Sequence, residues 1–391
     1  MKIFDTSILN LPLYEERHRA LAADLEAWVA AHQELLQANA GVSASERGRI
    51  YTEALGADGW LSYAVDVAHG RDRPDLRSLC IIREALAYMD DLMDFAFAIQ
   101  GLAAAPVAWF GSRRQQADLL PLLRSGKKVG ALSLSEPGVG SNLAAAAVEA
   151  KRSGDGYRID GLKTWTSNGT IADYYSVLLR TGEGPGGMGL SFLLIPRSTP
   201  GLSTKEIVLM APRAFSDTRF ENCLVPHDAL IGEAGMGFRY AMEILNFYRV
   251  NVGAAAVGFC RRAMQAATEW SRNRNVAGGG KLLQTQMTID KIADMALYLD
   301  AASLLVARSA WEFDTGIKDV AAHASMAKLY ATEGAAKVAD DTVQLFGAAG
   351  LVAETVAEQL YRQVRALRIY EGTSEIQKLI IAGAVSRAPK V

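Results

Sequence analysis

Apolar positions recur along the chain with two different periods. Over residues 11 to about 127 they return every three or four residues, as in "LAADLEAWVAAH" and "IIREALAYMDDLMDFAFAI". This spacing is typical of amphipathic helices that bury one face. Pro106 and Pro121 interrupt the pattern and, because proline has no amide hydrogen, predict helix breaks or helix starts. The pattern therefore predicts an N-terminal helical domain over residues 1–127.

The period changes at "GKKVGALSLSEPG". From there to about residue 234, short alternating runs are separated by Gly, Pro, Asn and Asp, which predicts a central antiparallel β domain over residues 128–234. The stretch "GEGPGGMG" is predicted to be a hairpin loop, because no strand-to-helix switch follows it. The helical period then returns, with a break at "NVAGGGK", and predicts a C-terminal helical domain over residues 235–391. This α+β, multi-domain order argues against a doubly wound nucleotide fold.

Composition narrows the class of protein. The chain has 391 residues, 50% of them hydrophobic and 21% charged, with a formal net charge of -2. These values are ordinary for a soluble globular protein and give no field that attracts nucleic acid. Cys80, Cys223 and Cys260 lie far apart, which predicts buried reduced thiols and a cytoplasmic location. No signal-peptide pattern or long uncharged apolar run is present, so no membrane span is expected.

One short stretch, "RIYEGTSEIQ", carries candidate chemistry. No nucleophile elbow occurs in the chain, and no histidines fall at metal-ligand spacing, so neither a serine hydrolase nor a metal site is indicated. Glu371 lies between Tyr370 and Gly372, and burial in a pocket would raise its pKa toward that of a general base. The alternative is a surface glutamate before a helix that Thr373 or Ser374 caps. The residues alone leave both interpretations open.

Three segments carry a family resemblance. In their order along the chain, "ALSLSEPGVGSN", "KTWTSNG" and "RIYEGTSEIQKLIIA" resemble the landmark segments of the flavin-dependent acyl-CoA dehydrogenase family. The resemblance runs through the β region and the C-terminal helices and is weak over residues 1–120. It implies an N-terminal helical domain, a central β domain and a C-terminal four-helix bundle, assembled as a homotetramer or a dimer.

The resemblance also implies an activity. The family uses FAD to desaturate an acyl thioester between its α and β carbons, and passes the electrons to an electron-transfer flavoprotein or a similar acceptor. The carrier of the acyl group is CoA or an acyl carrier protein, and a short, branched or alicyclic acyl group is favoured. Two alternatives stay open: a flavin oxidase or monooxygenase that uses O2 on the same scaffold, and a non-catalytic scaffolding protein.

The base and its neighbours follow from the resemblance. Glu371 matches the glutamate that removes the α-proton, while its own backbone N–H and a flavin hydroxyl stabilise the enolate oxygen. Gly372 allows the backbone to approach the substrate. Some relatives place the base one residue before the arginine that matches Arg249, but here that residue is Tyr248. Asn246 and Arg249 match substrate-contacting positions, and Ser141 matches a residue near the pantetheine arm.

The resemblance assigns further residues to the cofactor. The residues that match positions around the flavin ring and the pyrophosphate are Ser135, Ser141, Trp165 and Ser167. For Trp165, a core aromatic on a strand is the alternative. The residues that match positions at the adenine-diphosphate half, often across a subunit boundary, are Arg274, Gln286, Gln344, Gly347, Thr373 and Glu375. The sequence departs from the family pattern at "NVAGGGK" and at Asn142, which leaves the substrate and the detailed flavin contacts open.

Overall fold

The N-terminal part of the chain is helical, as the apolar period predicts. A computed structural model describes residues 2–38, 41–67 and 73–387. Within these ranges the helices that precede the first strand are α1 (Thr6–Leu9), α2 (Glu16–Ala31), α3 (Gln33–Ala38), α4 (Ala44–Ala57), α5 (Leu61–Val65), α6 (Leu76–Met89), α7 (Asp91–Phe110) and α8 (Arg113–Arg124). α8 begins where Ser112 and Gln115 exchange side-chain-to-backbone hydrogen bonds of 3.2 and 2.9 Å, a capping box that satisfies free amides of the first turn.

Two prolines lie inside helices. Pro106 is within α7 and Pro121 is within α8, so the prediction of breaks or helix starts at these residues is wrong. An interior proline costs a helix about 3 kcal/mol. Burial offsets this cost, because Ala104 and Val107 beside Pro106 are fully buried, and Leu119 and Leu123 of α8 are nearly so. Tertiary packing therefore overrides the local preference.

Helix α7 is strongly apolar. Across the described ranges it alone passes a test of length and composition for a membrane-spanning helix, and 94% of the apolar window is buried inside the protein. The core helix of a soluble protein passes the same test, so one such helix is weak evidence for a span. Cys80, Cys223 and Cys260 are buried, as the sequence predicts.

The central part of the chain forms one eight-stranded sheet. Its strands are β1 (Gly130–Ser133), β2 (Glu149–Ser153), β3 (Gly156–Ser167), β4 (Tyr174–Arg180), β5 (Leu190–Pro196), β6 (Leu202–Glu206), β7 (Phe215–Pro226) and β8 (Leu230–Ile231). They lie in the order β6-β7-β3-β1-β4-β5-β8, and β2 pairs with both β3 and β4. The hairpin loop predicted at "GEGPGGMG" is confirmed, because β4 and β5 pair antiparallel from Arg180 opposite Leu190.

The sheet is mostly antiparallel, but two of its pairings are parallel. β1 runs parallel to β4 from Gly130 opposite Tyr174, and Glu149 of β2 pairs with Arg180 in the same sense. The β2–β3 hairpin lies between β1 and β4 in sequence, and a connection of that length can return the chain to the same end of the sheet.

The C-terminal part of the chain is again helical. Its helices are α9 (Gly237–Asn273), α10 (Gln286–Asp314), α11 (Ala321–Phe346), α12 (Val356–Arg365) and α13 (Ser374–Arg387). The predicted break at "NVAGGGK" falls between α9 and α10, where Asn275 pairs with Lys281. Gly278, Gly279 and Gly280 have φ values of 85°, 92° and 91°, a region that favours glycine.

The chain folds into two compact units. The helical unit comprises Met1–Gln37, Leu76–Asp91 and Asn246–Val391, and the sheet unit comprises Ala38–Asp75 and Leu92–Leu245. In the helical unit α6 packs on α2 and α10, and α10 packs on α11. Asp314 of α10 accepts hydrogen bonds from the first amides of α6 at Leu76 and Arg77, at 2.9 and 3.0 Å, so it caps that helix. The sheet unit buries an apolar cluster that includes Tyr157, Tyr175 and Phe220.

Candidate active site

Glu371 lies on a tight turn immediately before α13. Its φ is 53° and that of Gly372 is 92°, so two consecutive residues adopt the left-handed region that non-glycine residues rarely enter. Thr373 ends the turn, and its hydroxyl oxygen accepts a hydrogen bond from the Ile376 amide at 3.4 Å. Thr373 is therefore the N-cap of α13, as one of the two interpretations of the sequence predicts, while Glu371 is only half-buried.

Two buried side chains hold the turn. The Nζ atom of Lys328 on α11 donates to the Gly372 carbonyl at 2.7 Å. The Gln377 amide nitrogen donates to the same carbonyl at 2.8 Å and to the Glu371 carbonyl at 3.2 Å. Both side chains are fully buried. A Cβ atom added at Gly372 would lie 2.6 Å from Gln377 Nε2, so the turn requires glycine both for its φ and for this approach.

Arg249 of α9 is a second buried cation at the turn. Its Nη1 atom donates to Asn246 Oδ1 at 2.8 Å and to Ser325 Oγ at 3.4 Å. Its Nη2 atom lies 3.7 Å from the position that a Cβ atom would take on Gly372. Burial lowers the pKa of the guanidinium, and the Glu371 charge opposes that effect. Asn246, Arg249 and Gly372, which the resemblance assigns to the substrate, therefore lie together.

At the turn, the Glu371 carboxylate interacts with the buried cations Arg249 and Lys328. Burial lowers the pKa of Lys328 to about 8, although the negative charge of Glu371 raises it. Burial also raises the pKa of Tyr248, and the Glu371 charge adds to this effect. Glu371 is thus coupled to Arg249, Lys328 and Tyr248. An arrangement of this kind can transfer a proton at a site where positive charge stabilises the anion that forms.

The other hydroxyl of the motif has a different role. Ser374 donates to a Glu333 carboxylate oxygen at 2.5 Å, and Arg368 pairs with the second oxygen of Glu333 at 2.7 Å. These contacts anchor the start of α13 to α11. Glu375 is exposed, and hydrogen bonding to its own amide and to the Thr373 hydroxyl lowers its pKa.

Trp165 of the sheet unit has an unusual conformation. β3 carries an irregularity between Lys163 and Thr166, and Trp165 within it has a φ of 56°. Its side chain is 55% exposed although Thr164 and Thr166 beside it are buried. A bulky residue at positive φ is a genuine outlier, and its exposed indole contradicts the alternative of a core aromatic. The "KTWTSNG" motif thus places the Trp165 indole at the surface.

The other sheet-unit residues surround this irregularity. The Thr164 amide donates to the Ser135 carbonyl at 2.9 Å, so Ser135 lies beside the strand that carries Trp165. Ser167 pairs with Leu132 of β1 and with Phe215 of β7. Ser141 is exposed in the loop that follows Ser135. The structure therefore brings Ser135 and Ser167 to the strand segment of Trp165, while Ser141 lies on the loop.

Four assigned residues lie at one end of the helical unit. Arg274 follows α9 and Gln286 begins α10, and the Leu282 amide donates to the Arg274 carbonyl at 2.8 Å. Gln344 and Gly347 lie at the end of α11. This end packs against the end of α9, because Trp270 stacks on Phe346 with 4.6 Å between the ring centroids. Gln344 is sixteen residues beyond Lys328 on α11, about 24 Å along the axis. This group is therefore remote from the Glu371 turn.

The buried polar residues that fix these segments were not predicted from the sequence. They are Lys328 and Gln377 in the helical unit, and Glu136 and Lys163 in the sheet unit. A signal for Lys328 was present, because it lies four residues after Ala324 and three before Ala331, both on the buried face of α11. A lysine on a helix face of small apolar residues is almost never fully buried without a partner.

Comparisons with known proteins agree with this arrangement. Models of the acyl-CoA dehydrogenase N-terminal, middle and C-terminal domains match residues 15–127, 131–223 and 235–386. The short-chain specific acyl-CoA dehydrogenase of Homo sapiens mitochondria is 38% identical over 290 residues, which cover 73% of this chain and 70% of that protein. The isobutyryl-CoA dehydrogenase of Dictyostelium discoideum mitochondria is 35% identical over 312 residues, 78% of this chain and 74% of that protein.

Solved structures share the whole fold. Butyryl-CoA dehydrogenase from Megasphaera elsdenii superposes with a TM-score of 0.85 at 28% identity, over 99% of this chain and all of that one. A structure described as an electron transferring flavoprotein of Acidaminococcus fermentans has a TM-score of 0.85 at 28% identity, over 96% and 99% of the two chains. An FAD complex of PigA has a TM-score of 0.86 at 25% identity, over 95% and 98%.

These matches agree with the fold over the three matched ranges. The order of helices, sheet and helices is that of the matched domains. The chain therefore belongs to the acyl-CoA dehydrogenase family and is an oxidoreductase that acts on CH–CH groups.

Proposed function

We propose that the protein uses FAD to desaturate an acyl-CoA thioester between its α and β carbons, with Glu371 as the base that removes the α-proton. The observation that carries this proposal is the turn itself. Glu371 occupies a strained backbone conformation that two buried side chains hold, and it is coupled to two buried cations, Arg249 and Lys328. Backbone strain of this kind occurs mainly at functional sites.

The surrounding charge suits the proton transfer. An α-proton of a thioester is a weak acid, so the enolate that forms must be stabilised where its charge develops. As the proton moves to Glu371, the negative charge moves from the carboxylate to the thioester oxygen. Arg249 and Lys328 are coupled to the Glu371 carboxylate in a buried environment, where charges are weakly screened, and would stabilise the negative charge as it moves. By the family pattern, the Glu371 N–H donates to the thioester oxygen.

The residues present fit an FAD cofactor. Trp165 offers an exposed indole on which a planar ring can pack. Arg274 is exposed, and within the described ranges its guanidinium makes no ion pair or hydrogen bond, so it is open to a pyrophosphate. Ser135, Ser141 and Ser167 would hold the flavin end. By the family pattern, Gln286, Gln344 and Gly347 would join Arg274 at the adenine end across a subunit boundary from Thr373 and Glu375, which lie at the Glu371 turn. When bound, FAD supplies the hydride acceptor for the β-carbon.

We propose a short straight or branched acyl group as the substrate. The support is the similarity to a short-chain specific acyl-CoA dehydrogenase and to an isobutyryl-CoA dehydrogenase, at 38% and 35% identity. Anaerobic titration of the flavoprotein with thioesters of increasing chain length tests this choice, because the absorbance of oxidised flavin falls only with a substrate. Bleaching by long-chain thioesters alone would contradict it.

Further proposals concern partners and location. By the family pattern, we propose an electron-transfer flavoprotein as acceptor and a homotetramer as the assembly; a chain with this fold also occurs in a structure whose description names an electron transferring flavoprotein. Reoxidation of the reduced enzyme in the presence of such an acceptor, compared with O2, separates a dehydrogenase from an oxidase. The buried cysteines suit a reducing cytoplasm.

The decisive experiment replaces the base. Glu371→Gln keeps the size of the side chain and removes its basicity, so it should retain FAD and fold but lose flavin reduction by the substrate. Glu269→Gln, at an exposed glutamate of α9 that accepts a hydrogen bond from Gln265, is the matched control for reduction and should keep that step. Reduction of the Glu371→Gln enzyme at the wild-type rate would show that another group is the base.

A further inference from the structure

Lys328 is a buried cation whose ammonium points to the backbone of the turn rather than to a carboxylate. Its Nζ atom lies 2.7 Å from the Gly372 carbonyl oxygen, and its side chain has no exposed area. An isolated buried ammonium is costly unless it is paired or hydrogen-bonded. The charged groups that act on it are Glu371, Arg249, Glu333 and Glu375.

The turn needs such a partner because of its conformation. With φ values of 53° and 92° at Glu371 and Gly372, it would relax to a commoner conformation if nothing held its two carbonyl groups. Three hydrogen bonds, from Lys328 and Gln377, reach those carbonyls. We call these two side chains the carbonyl clamp. Because the clamp fixes the two carbonyl groups that follow the Glu371 Cα atom, it limits rotation of the backbone there and thereby fixes the direction of the Glu371 side chain.

We infer that Lys328 is a positioning residue for proton abstraction, which acts with Gln377 by holding the Glu371 backbone in the conformation that aims its carboxylate at the substrate. This inference rests on the proposed role of Glu371. The direct contact of Lys328 is with a backbone carbonyl, so its loss should affect the chemical step more than substrate binding. A displacement of about 1 Å at a reacting group can cost on the order of 100-fold in rate.

The first test is a split between kcat and KM. Lys328→Met keeps most of the length of the side chain and removes the donor. It should lower kcat roughly 10- to 100-fold with KM and FAD content unchanged. Lys328→Arg keeps a charged donor and should recover part of the loss. Lys337→Met, a half-exposed lysine on the same helix that pairs with Asp341, is the matched control and should keep the wild-type kcat.

The second test is the pH profile of kcat. Burial lowers the pKa of Lys328 to about 8, so in the wild type the ammonium is charged below that pH and loses its proton above it. Activity should therefore decline on the alkaline side near pH 8. In Lys328→Arg the charge persists, because a guanidinium stays protonated, and the decline should move to higher pH. An alkaline decline that stays unchanged in Lys328→Arg would count against the inference.

The third test needs no cofactor or activity. Hydrogen exchange of the apoprotein, read on peptides that cover residues 368–378, should be at least tenfold faster in Lys328→Met than in the wild type, and unchanged in Lys337→Met. If Lys328→Met does not fold, Gln377→Leu, which removes the other donors of the carbonyl clamp, gives the same readouts. Wild-type kcat, pH profile and exchange in a folded Lys328→Met would overturn the inference. The proposed function would stand in that case, provided that Glu371→Gln is inactive.

Discussion

The Nζ atom of Lys163 lies 2.8 Å from Oε1 of Glu136, and both side chains are buried in the sheet unit. Lys163 is two residues before Trp165 on β3, and Glu136 directly follows Ser135. The ion pair therefore joins the loop that carries Ser135 to the strand that carries Trp165, and both of these residues are assigned to the flavin. Loss of one partner of a buried ion pair is strongly destabilising, because the other charge is then buried without compensation.

Loss of the cation should destabilise the sheet unit. Lys163→Met leaves the Glu136 carboxylate buried without its counter-charge, which should lower the free energy of unfolding by about 3 to 5 kcal/mol. Urea denaturation of the FAD-free protein measures this change. Lys151→Met is the control, because that lysine lies on β2 and its ion pair with Glu149 is exposed; its effect should stay within about 0.5 kcal/mol. Equal stability of the two variants would contradict the prediction.

Acid should weaken the same pair. Burial tends to raise the pKa of Glu136, but Lys163 and the Val148 and Ala147 amides outweigh this effect and hold the pKa below the usual range of a glutamate. A carboxylate with a lowered pKa contributes stability above its unfolded pKa and loses that contribution as pH falls through its folded pKa. The wild type should therefore lose more stability than Glu136→Gln between pH 5 and pH 2.

Unfolding free energies of both proteins across that pH range provide the check. The two curves should converge toward low pH, because the variant has no carboxylate to protonate at this position. Parallel curves would mean that Glu136 titrates alike in the folded and unfolded states.

Replacements of Trp165 should separate its backbone strain from its ring. Both Trp165→Ala and Trp165→Gly remove the indole and should reduce FAD retention or alter the flavin spectrum. Glycine also relieves the strain of the φ of 56°, a conformation that costs an L-residue about 1 to 2 kcal/mol. Part of this gain in stability is offset, because glycine makes the unfolded chain more flexible. The apoprotein of Trp165→Gly should therefore be more stable than that of Trp165→Ala by about 0.5 to 1 kcal/mol. Thermal unfolding of the two apoproteins tests this order of stability. A more stable alanine variant would contradict the prediction.

Arg274 should couple the cofactor to the assembly. Arg274→Ala should reduce FAD content and give a smaller oligomer on dilution, partly restored by added FAD, because a ligand that binds only the assembled form favours assembly. Light scattering and flavin absorbance on the same samples measure both quantities. Arg272→Ala, two residues earlier and also exposed, is the control. Full FAD occupancy and an unchanged oligomer in Arg274→Ala would exclude the shared site.

Much of the architecture was predictable because periodicity is a local property. The repeat of three to four residues predicted the flanking helices, and the alternation after "GKKVGALSLSEPG" predicted the sheet. The β4–β5 hairpin and the N-cap at Thr373 followed from turn and capping chemistry, which acts over four residues or fewer. The "YEGT" motif marked Glu371 as the candidate base before any contact was known.

Tertiary structure alone decided how that candidate is held. Lys328 and Gly372 are 44 residues apart, and no local rule pairs a helix lysine with a distant turn carbonyl. The same holds for Glu136 and Lys163, and for the parallel pairing of β1 with β4. Pro106 and Pro121 stay helical because burial outweighs their preference, and Trp165 keeps a positive φ because neighbouring strands fix the chain on both sides. The sequence determines which helices and strands form, because propensity and hydrophobic period are local properties. Packing determines which buried charges meet, because a buried charge is stable only with a partner, and here the partners lie far apart along the chain.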